Sequence, residues 1–199
     1  SALTPSGATL NWTSGNGSYD FVTLRASTSN TNLPVDGTVY TASSTYGSGS
    51  SIGGIPYSYV VYYSSLTSVA VTGLSAATDY VANACTYNGL SGAQNYYTTS
   101  YPTEGFTTLA AQPTGNCNSL YATDVTNTAM TLNWVRPTSG SGSNVIVIVR
   151  SGASADLPVD QNNYTANSTF GSGSLIGSSY VVYAGTGNTV RVTGLTTNT

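Results

Sequence analysis

AVTGLSAATDYVANACTYNG, residues 70 to 89, holds the reading on which the fold turns. Its first half returns near the end of the chain as RVTGLTTNT, residues 191 to 199. Other phrases recur at nearly the same offset: TLNW at 9–12 and 131–134, LPVD at 33–36 and 157–160, and YVVYY at 59–63 against YVVYA at 180–184. YGSGSSIGG at 46–54 likewise returns as FGSGSLIGS at 170–178. Self-similarity at a long fixed period marks a repeat architecture. The chain is therefore two homologous units, with a linker in TLAAQPTGN (residues 108–116), where small residues and Pro113 break the pattern. The expected domains are 1–109 and 110–199.

Each unit reads as short strands between turns. Leu10 and Trp12 alternate in ATLNW; YDFVTLR and NVIVIVR are apolar strand cores; YSYVVYY and SVAVTGL follow Gly-rich turns. No helical period is sustained. Several short strands at this spacing indicate an all-β sandwich.

TLNW together with VTGLSAATDYVANACTYNG resembles a fibronectin type III sandwich, an immunoglobulin-like fold. The resemblance implies a core Trp on the second strand, Trp12 and Trp134. It also implies a tyrosine corner built by Leu74, Thr78 and Tyr80 after Gly73, with Leu195 as the second unit's corner leucine. The two units are similar to tandem repeats of large bacterial secreted or cell-surface proteins. They depart from the compact form in the stretch Leu33–Ser58, expected to hold an extra hairpin.

In this register the second corner tyrosine falls just past Thr199. The second repeat is then expected to lack its last two strands, and the first to lack most of its first. That pattern suits a window on a longer covalent array; the alternative is a chain completed by strands from its neighbours. Cys85 falls on the sixth strand of the first unit and Cys117 on the first strand of the second. By the family pattern their partners lie outside Ser1–Thr199. Equally, the two bond to each other and staple the junction by roughly 3–4 kcal/mol.

Only 6% of residues are charged, with a net charge of −3 and no His. Arg25, Arg136, Arg150 and Arg191 are the only cations, too few for the basic stripe that nucleic acid or an anionic membrane surface requires. The longest apolar run, Val145–Val149, is too short to span a bilayer. Without His or Lys there is no Ser-His, Cys-His or Ser-Lys pair, and metal sites lose their usual ligands. The acids are Asp20, Asp36, Asp79, Glu104, Asp124, Asp156 and Asp160. Asp36 and Asp160 are repeat equivalents beside a proline, which suits a turn better than acid–base work. Asp156 and Asp160 supply two oxygen donors, short of a calcium shell. GSGS at 47–50 and 171–174 lacks the Lys and helix of a phosphate loop and reads as a turn. Neither an enzyme nor a cofactor is expected.

Binding candidates are the aromatic residues particular to the first unit: Tyr57 and Tyr63, where the second has Ser178 and Ala184, and Tyr96, Tyr97 and Tyr101. Alternation places Tyr57, Tyr59, Val61 and Tyr63 on one strand face. Four Asn-x-Ser/Thr sites, Asn11, Asn16, Asn163 and Asn167, are glycosylation candidates. These readings converge on an expectation. The chain is a non-catalytic structural repeat of an extracellular fibre or stalk-like cell-surface protein, self-associating end to end through sandwich contacts or strand addition. The alternative is a carbohydrate-binding or adhesin module that takes glycans on the unit 1 tyrosines.

Overall fold

The computed structural model describes residues 2–29, 31–137 and 142–196; the last three residues of RVTGLTTNT lie outside them. The chain divides into two units, Ser1–Ala111 and Gln112–Thr199, so the division falls inside the Pro113 linker stretch.

Unit 1 contains β1 (Gly7–Asn11), β2 (Tyr19–Ala26), β3 (Ser51–Ile52), β4 (Ser58–Ser64), β5 (Ser68–Thr72), β6 (Asp79–Asn88), β7 (Asn95–Tyr96) and β8 (Thr103–Thr107). β1 pairs antiparallel with β5, and a second sheet runs β3-β4-β2-β6-β7 with β8 also on β6. Alternation makes this two packed layers. Ala8, Leu10 and Val71 of the small sheet meet Val22, Leu24, Val61, Tyr80 and Ala82 of the large one in a single core. Leu24, fully buried there, contributes roughly 1.5–3 kcal/mol by leaving water.

The tyrosine corner is formed. Tyr80 is buried, and its hydroxyl accepts the Ser75 amide N–H at 2.9 Å, which ties the crossover to β6. Gly73 holds φ +75°, a left-handed turn that frees Leu74 to fall into the core.

Unit 2 repeats the plan with β9 (Asn118–Thr123), β10 (Ala129–Val135), β11 (Val145–Val149), β12 (Leu175–Ile176), β13 (Ser179–Gly185) and β14 (Thr189–Thr193). Its sheets run β14-β10-β9 and β11-β13-β12 around a core of Leu132, Trp134, Val147, Val182 and Val192, with Leu195 packed against it. The protein is all-β, two tandem fibronectin type III-like sandwiches. Among the described residues unit 2 has no counterpart of β6, β7 or β8, and unit 1 none of β9.

The Leu33–Ser58 stretch holds the extra hairpin only at its end, where Ser51–Ile52 folds back antiparallel on Ser58–Tyr59 of β4; the rest is a turning ribbon whose backbone clamps both sheets. Ser43 N–H donates to Val60 O and Val60 N–H to Ser50 O at the β4 edge; Thr72 N–H donates to Ser44 O and Tyr46 N–H to Thr72 O at the β5 edge. Unit 2 repeats all four bonds through Asn167, Ser168, Phe170, Ser174, Val181 and Thr193. Two otherwise naked edges are thereby sealed. This explains GSGS: a Cβ on Gly49 would stand 2.1 Å from Val60 O, and one on Gly173 2.0 Å from Val181 O. The ribbon reaches β4 only through glycine.

Candidate functional site

The sequence placed Tyr57, Tyr59, Val61 and Tyr63 on one face; a β-bulge undoes this. Val22 lies opposite Tyr62 but Thr23 opposite Val60, so Val61 is an extra residue and alternation slips by one. Val61 belongs to the sandwich core, whereas Val60 and Tyr63 turn to the outer face of the large sheet. The bulge recurs in β13, where Val147 faces Tyr183 and Ile148 faces Val181.

That outer face carries a second hydrophobic core. Phe21, Ile52, Val60, Tyr87 and Tyr96 are buried in it, with Tyr19, Tyr40, Tyr63 and Cys85 packed around. Tyr63 stacks on Tyr87 with centroids 4.7 Å apart, and Phe21 lies edge-on to Tyr63 and Tyr96. Asp36 holds the roof: its carboxylate accepts the Tyr96 amide at 2.8 Å, and the Tyr96 hydroxyl donates to Thr38 O at 2.9 Å. Burial raises the Tyr87 and Tyr96 hydroxyl pKa values above the ordinary tyrosine range, and the hydrogen-bonded Tyr63 hydroxyl raises them further. The sequence did not single out Tyr19 or Tyr87; Tyr40 recurs as Tyr164, a shared position that reads as structural, and it packs on this core.

The proposed aromatic strip is therefore dispersed. Tyr96 is 3% exposed and Tyr63 half-buried, so neither face is free for a sugar ring. Tyr57 and Tyr97 are 39% and 55% exposed, but they lie far apart. Tyr57 packs beside Tyr59, which is opposite Leu24, whereas the Tyr97 amide bonds to Thr86, opposite Asp20. Four residues along β2 separate those positions by ~13 Å. Tyr101, half-buried, lines a small hollow with Phe21, Leu33 and Cys85.

Cys85 and Cys117 are both free thiols, so a bond between them is not formed. Their surroundings also argue against a shared first-to-sixth-strand bridge. Cys85 faces the outer core beside Phe21, whereas Cys117 packs against the sandwich core with Trp134. Burial, and secondarily the Asp20 carboxylate, pushes the Cys85 thiol up to about 12.

Trp12 and Trp134 each pack on the tyrosine of the paired sheet, Tyr62 at 4.9 Å and Tyr183 at 5.1 Å. Neither indole N–H has a hydrogen-bond partner among the described residues. Asn11, Asn16, Asn163 and Asn167 are all exposed. The Asp156 carboxylate accepts Ser178 N–H and Ser179 Oγ–H, each at 2.8 Å, and lies 3.4 Å from Arg150. Those bonds, the Ser178 amide foremost, hold its pKa below the usual carboxylate value. Its counterpart Asn32 donates instead to Ile52 O and Ser58 Oγ, so the position serves loop docking in both units. Asp160 is exposed, and no group of three or more acid, His or Cys side chains converges among the described residues.

The feature with a functional geometry is an open edge. β2 is hydrogen-bonded on both sides, by β4 and β6, whereas its counterpart β11 pairs among the described residues only with β13. Beside β11 lies a hollow of about 750 Å³ lined by Cys117, Val145, Ile146, Ile148, Leu157 and Pro158 among others. Ile146 occupies the Phe21 position but is 36% exposed, against 1% for Phe21; among the described residues nothing of the β6–β7 kind covers it. On β9, Leu120 is 62% exposed; Ala122 lies opposite buried Leu132, and the register slips by one residue before Asn118 comes opposite Val135.

No family model matches the chain, and no curated protein matches it. Among solved structures, a two-domain fibronectin type III segment from chicken tenascin is similar at 17% identity and a TM-score of 0.35, over 98% of this chain and 80% of that one. The fold assignment rests on the strand pairings themselves.

Proposed function

We propose that the chain is a non-catalytic structural repeat of an extracellular fibre or stalk-like surface protein, assembled end to end, in which an added strand completes the unit 2 sandwich. One observation carries this reading: among the described residues β11 is paired on one edge only, where the homologous β2 is paired on both. Strand addition takes its affinity from main-chain hydrogen bonds and its specificity from alternate side-chain pockets. The β11 edge is built for it. Val145–Val149 contains no Lys, Pro or acidic residue, the usual means by which an edge is blunted against pairing. The few charges over the whole surface suit close, uncharged contact between successive modules.

The test compares the native chain with Ile146→Lys by light scattering and electron microscopy. Ile146 is partly exposed, so the charge is tolerated by the fold while it blocks the edge. The expected result is linear assembly of the native chain and a monomeric variant with an unchanged melting temperature. A native chain that stays monomeric at every concentration, or a variant that assembles equally, would overturn the reading.

A further inference from the structure

Two asparagine–glycine pairs lie side by side in unit 1, and the fold treats them oppositely. Asn16 and Gly17 sit in the loop between β1 and β2; Asn88 and Gly89 close the end of β6. In such a pair the second residue has no Cβ, so its amide nitrogen can approach the asparagine Cγ unhindered. The nitrogen attacks Cγ, ammonia leaves, and a cyclic imide forms. Water then opens the ring at either carbonyl, giving aspartate or isoaspartate, in which the chain runs through the former side-chain methylene. The step needs no oxidant and no cofactor.

Asn16 is exposed, and among the described residues neither its side chain nor the Gly17 N–H is hydrogen-bonded. Gly17 cannot readily be replaced. A Cβ on it would stand 2.7 Å from Thr86 Cβ and 2.9 Å from the Tyr87 amide nitrogen, and one on Gly15 3.0 Å from Thr86 Cγ2. The loop lies flat on β6, a close approach that only glycine permits. Packing therefore keeps the reactive pair in place.

Asn88 has the same kind of neighbour and none of the freedom. Its side-chain carbonyl accepts the Ser18 N–H at 2.9 Å and the Ser18 hydroxyl at 3.0 Å, and its backbone lies opposite Asn95 of β7. Attack by the Gly89 nitrogen requires that side chain to swing back onto its own backbone, which breaks both bonds. The clasp belongs to Ser18, in the same loop as Asn16 and immediately after Gly17.

We propose that Asn16 is a site of spontaneous deamidation, and that its conversion to isoaspartate unlocks a second conversion at Asn88. The isoaspartyl linkage adds one backbone atom just ahead of Gly17, whose contact with Thr86 leaves no slack to absorb it. Ser18 is displaced and the Asn88 carbonyl is released. Each conversion adds one negative charge to a chain of net charge −3. Geometry fixes the order, Asn16 first and Asn88 after. The site lies in unit 1 alone and stands whether or not β11 accepts a partner.

The test ages the full chain, expressed without N-glycosylation, at mildly alkaline pH. Beside it are aged an Asn16→Gln variant and a synthetic peptide of residues 13–19. Glutamine has to close a larger ring and reacts far more slowly, and at an exposed position it leaves the fold intact, which the melting temperature checks. Peptide mapping by mass spectrometry, with isoaspartyl methyltransferase labelling, follows both sites. Asn16 is expected to convert within about tenfold of the peptide's rate, and Asn88 only after a lag. In the variant, Asn88 conversion is expected to slow by about tenfold or more, the rate equivalent of two hydrogen bonds kept. Slower conversion of Asn16 than that would overturn the assignment of the first site. Equal Asn88 rates in the native chain and the variant would overturn the coupling.

Discussion

The rings of Tyr63 and Tyr87 stack nearly parallel, 4.7 Å apart at an interplanar angle of 4°, on the side of the large sheet that faces away from the sandwich core. Tyr63 comes from β4 and Tyr87 from β6, with Phe21 of the intervening β2 edge-on to Tyr63. A surface that a bare sandwich leaves to water is here a core of its own, which is why β2 is buried on both faces from Asp20 to Leu24.

That places a stability cost on Tyr63 that Tyr57 does not share. Tyr63→Ala, the residue of the second repeat, is expected to lower unit 1 stability by about 2–4 kcal/mol through lost packing and an emptied site. Tyr57→Ser is expected within about 0.5 kcal/mol of the native chain. Urea unfolding of the two variants measures both. Retention on an oligosaccharide column is expected to change for neither.

The same cluster makes unit 1 sensitive to alkali. Tyr87 and Tyr96 have hydroxyl pKa values raised in the fold, so their protonated forms are the ones stabilised. This contribution is fully present below the unfolded tyrosine pKa of about 10 and is lost as pH climbs beyond it. The urea midpoint of unit 1 is expected to fall steadily above that pH, with the Tyr87 and Tyr96 hydroxyls, followed by their ring NMR signals, ionising only as unfolding proceeds. Normal titration of every tyrosine in the folded protein would contradict the burial argument.

Acid acts on unit 2 through Asp156. Its pKa is lowered in the fold by the Ser178 amide, the Ser179 hydroxyl and Arg150. Its contribution is therefore present above the unfolded carboxylate pKa of about 4 and is lost as pH falls through the lower folded value. Asp156→Asn is expected to remove that acid-side loss from unit 2. Unit 1, with Asn32 at this position, has no such step to lose. Unfolding midpoints of the native chain and the variant across the acid range decide it.

Cys85 is expected to resist alkylation. With its thiol pushed up to about 12, little thiolate forms near neutral pH, and the side chain is walled in by the outer core. Iodoacetamide mapping by mass spectrometry is expected to find Cys85 modified at the rate of unfolding. Rapid modification in the folded state would mean that the roof over β6 opens readily.

The glycine that lets the ribbon touch β4 offers a test of the edge seal. Gly49→Ala sets a methyl against the Val60 carbonyl, where no flexible side chain can yield. A loss of more than about 2 kcal/mol is expected, with the same for Gly173→Ala in unit 2. Gly54, with open space around it, is the control and tolerates alanine.

The repeat, the all-β class, the core tryptophans and the corner at Leu74 and Tyr80 were legible from the amino acids alone. Each is a local pattern whose period or spacing is set by backbone geometry. The outer core was not, because one unpaired residue at Val61 decides which way Tyr63 points, and a bulge has no marker in a run such as YVVYY. Nor was the ribbon: Ser43, Ser44, Tyr46 and Ser50 bond through backbone atoms, which every sequence possesses. The thiol facings of Cys85 and Cys117 likewise depend on strand register rather than on spacing. The amino acids by themselves determined that two sandwiches form. Only the tertiary structure decided which segments pair and how the ribbon seals the β4 and β5 edges, because pairing is a relation between segments far apart in the chain.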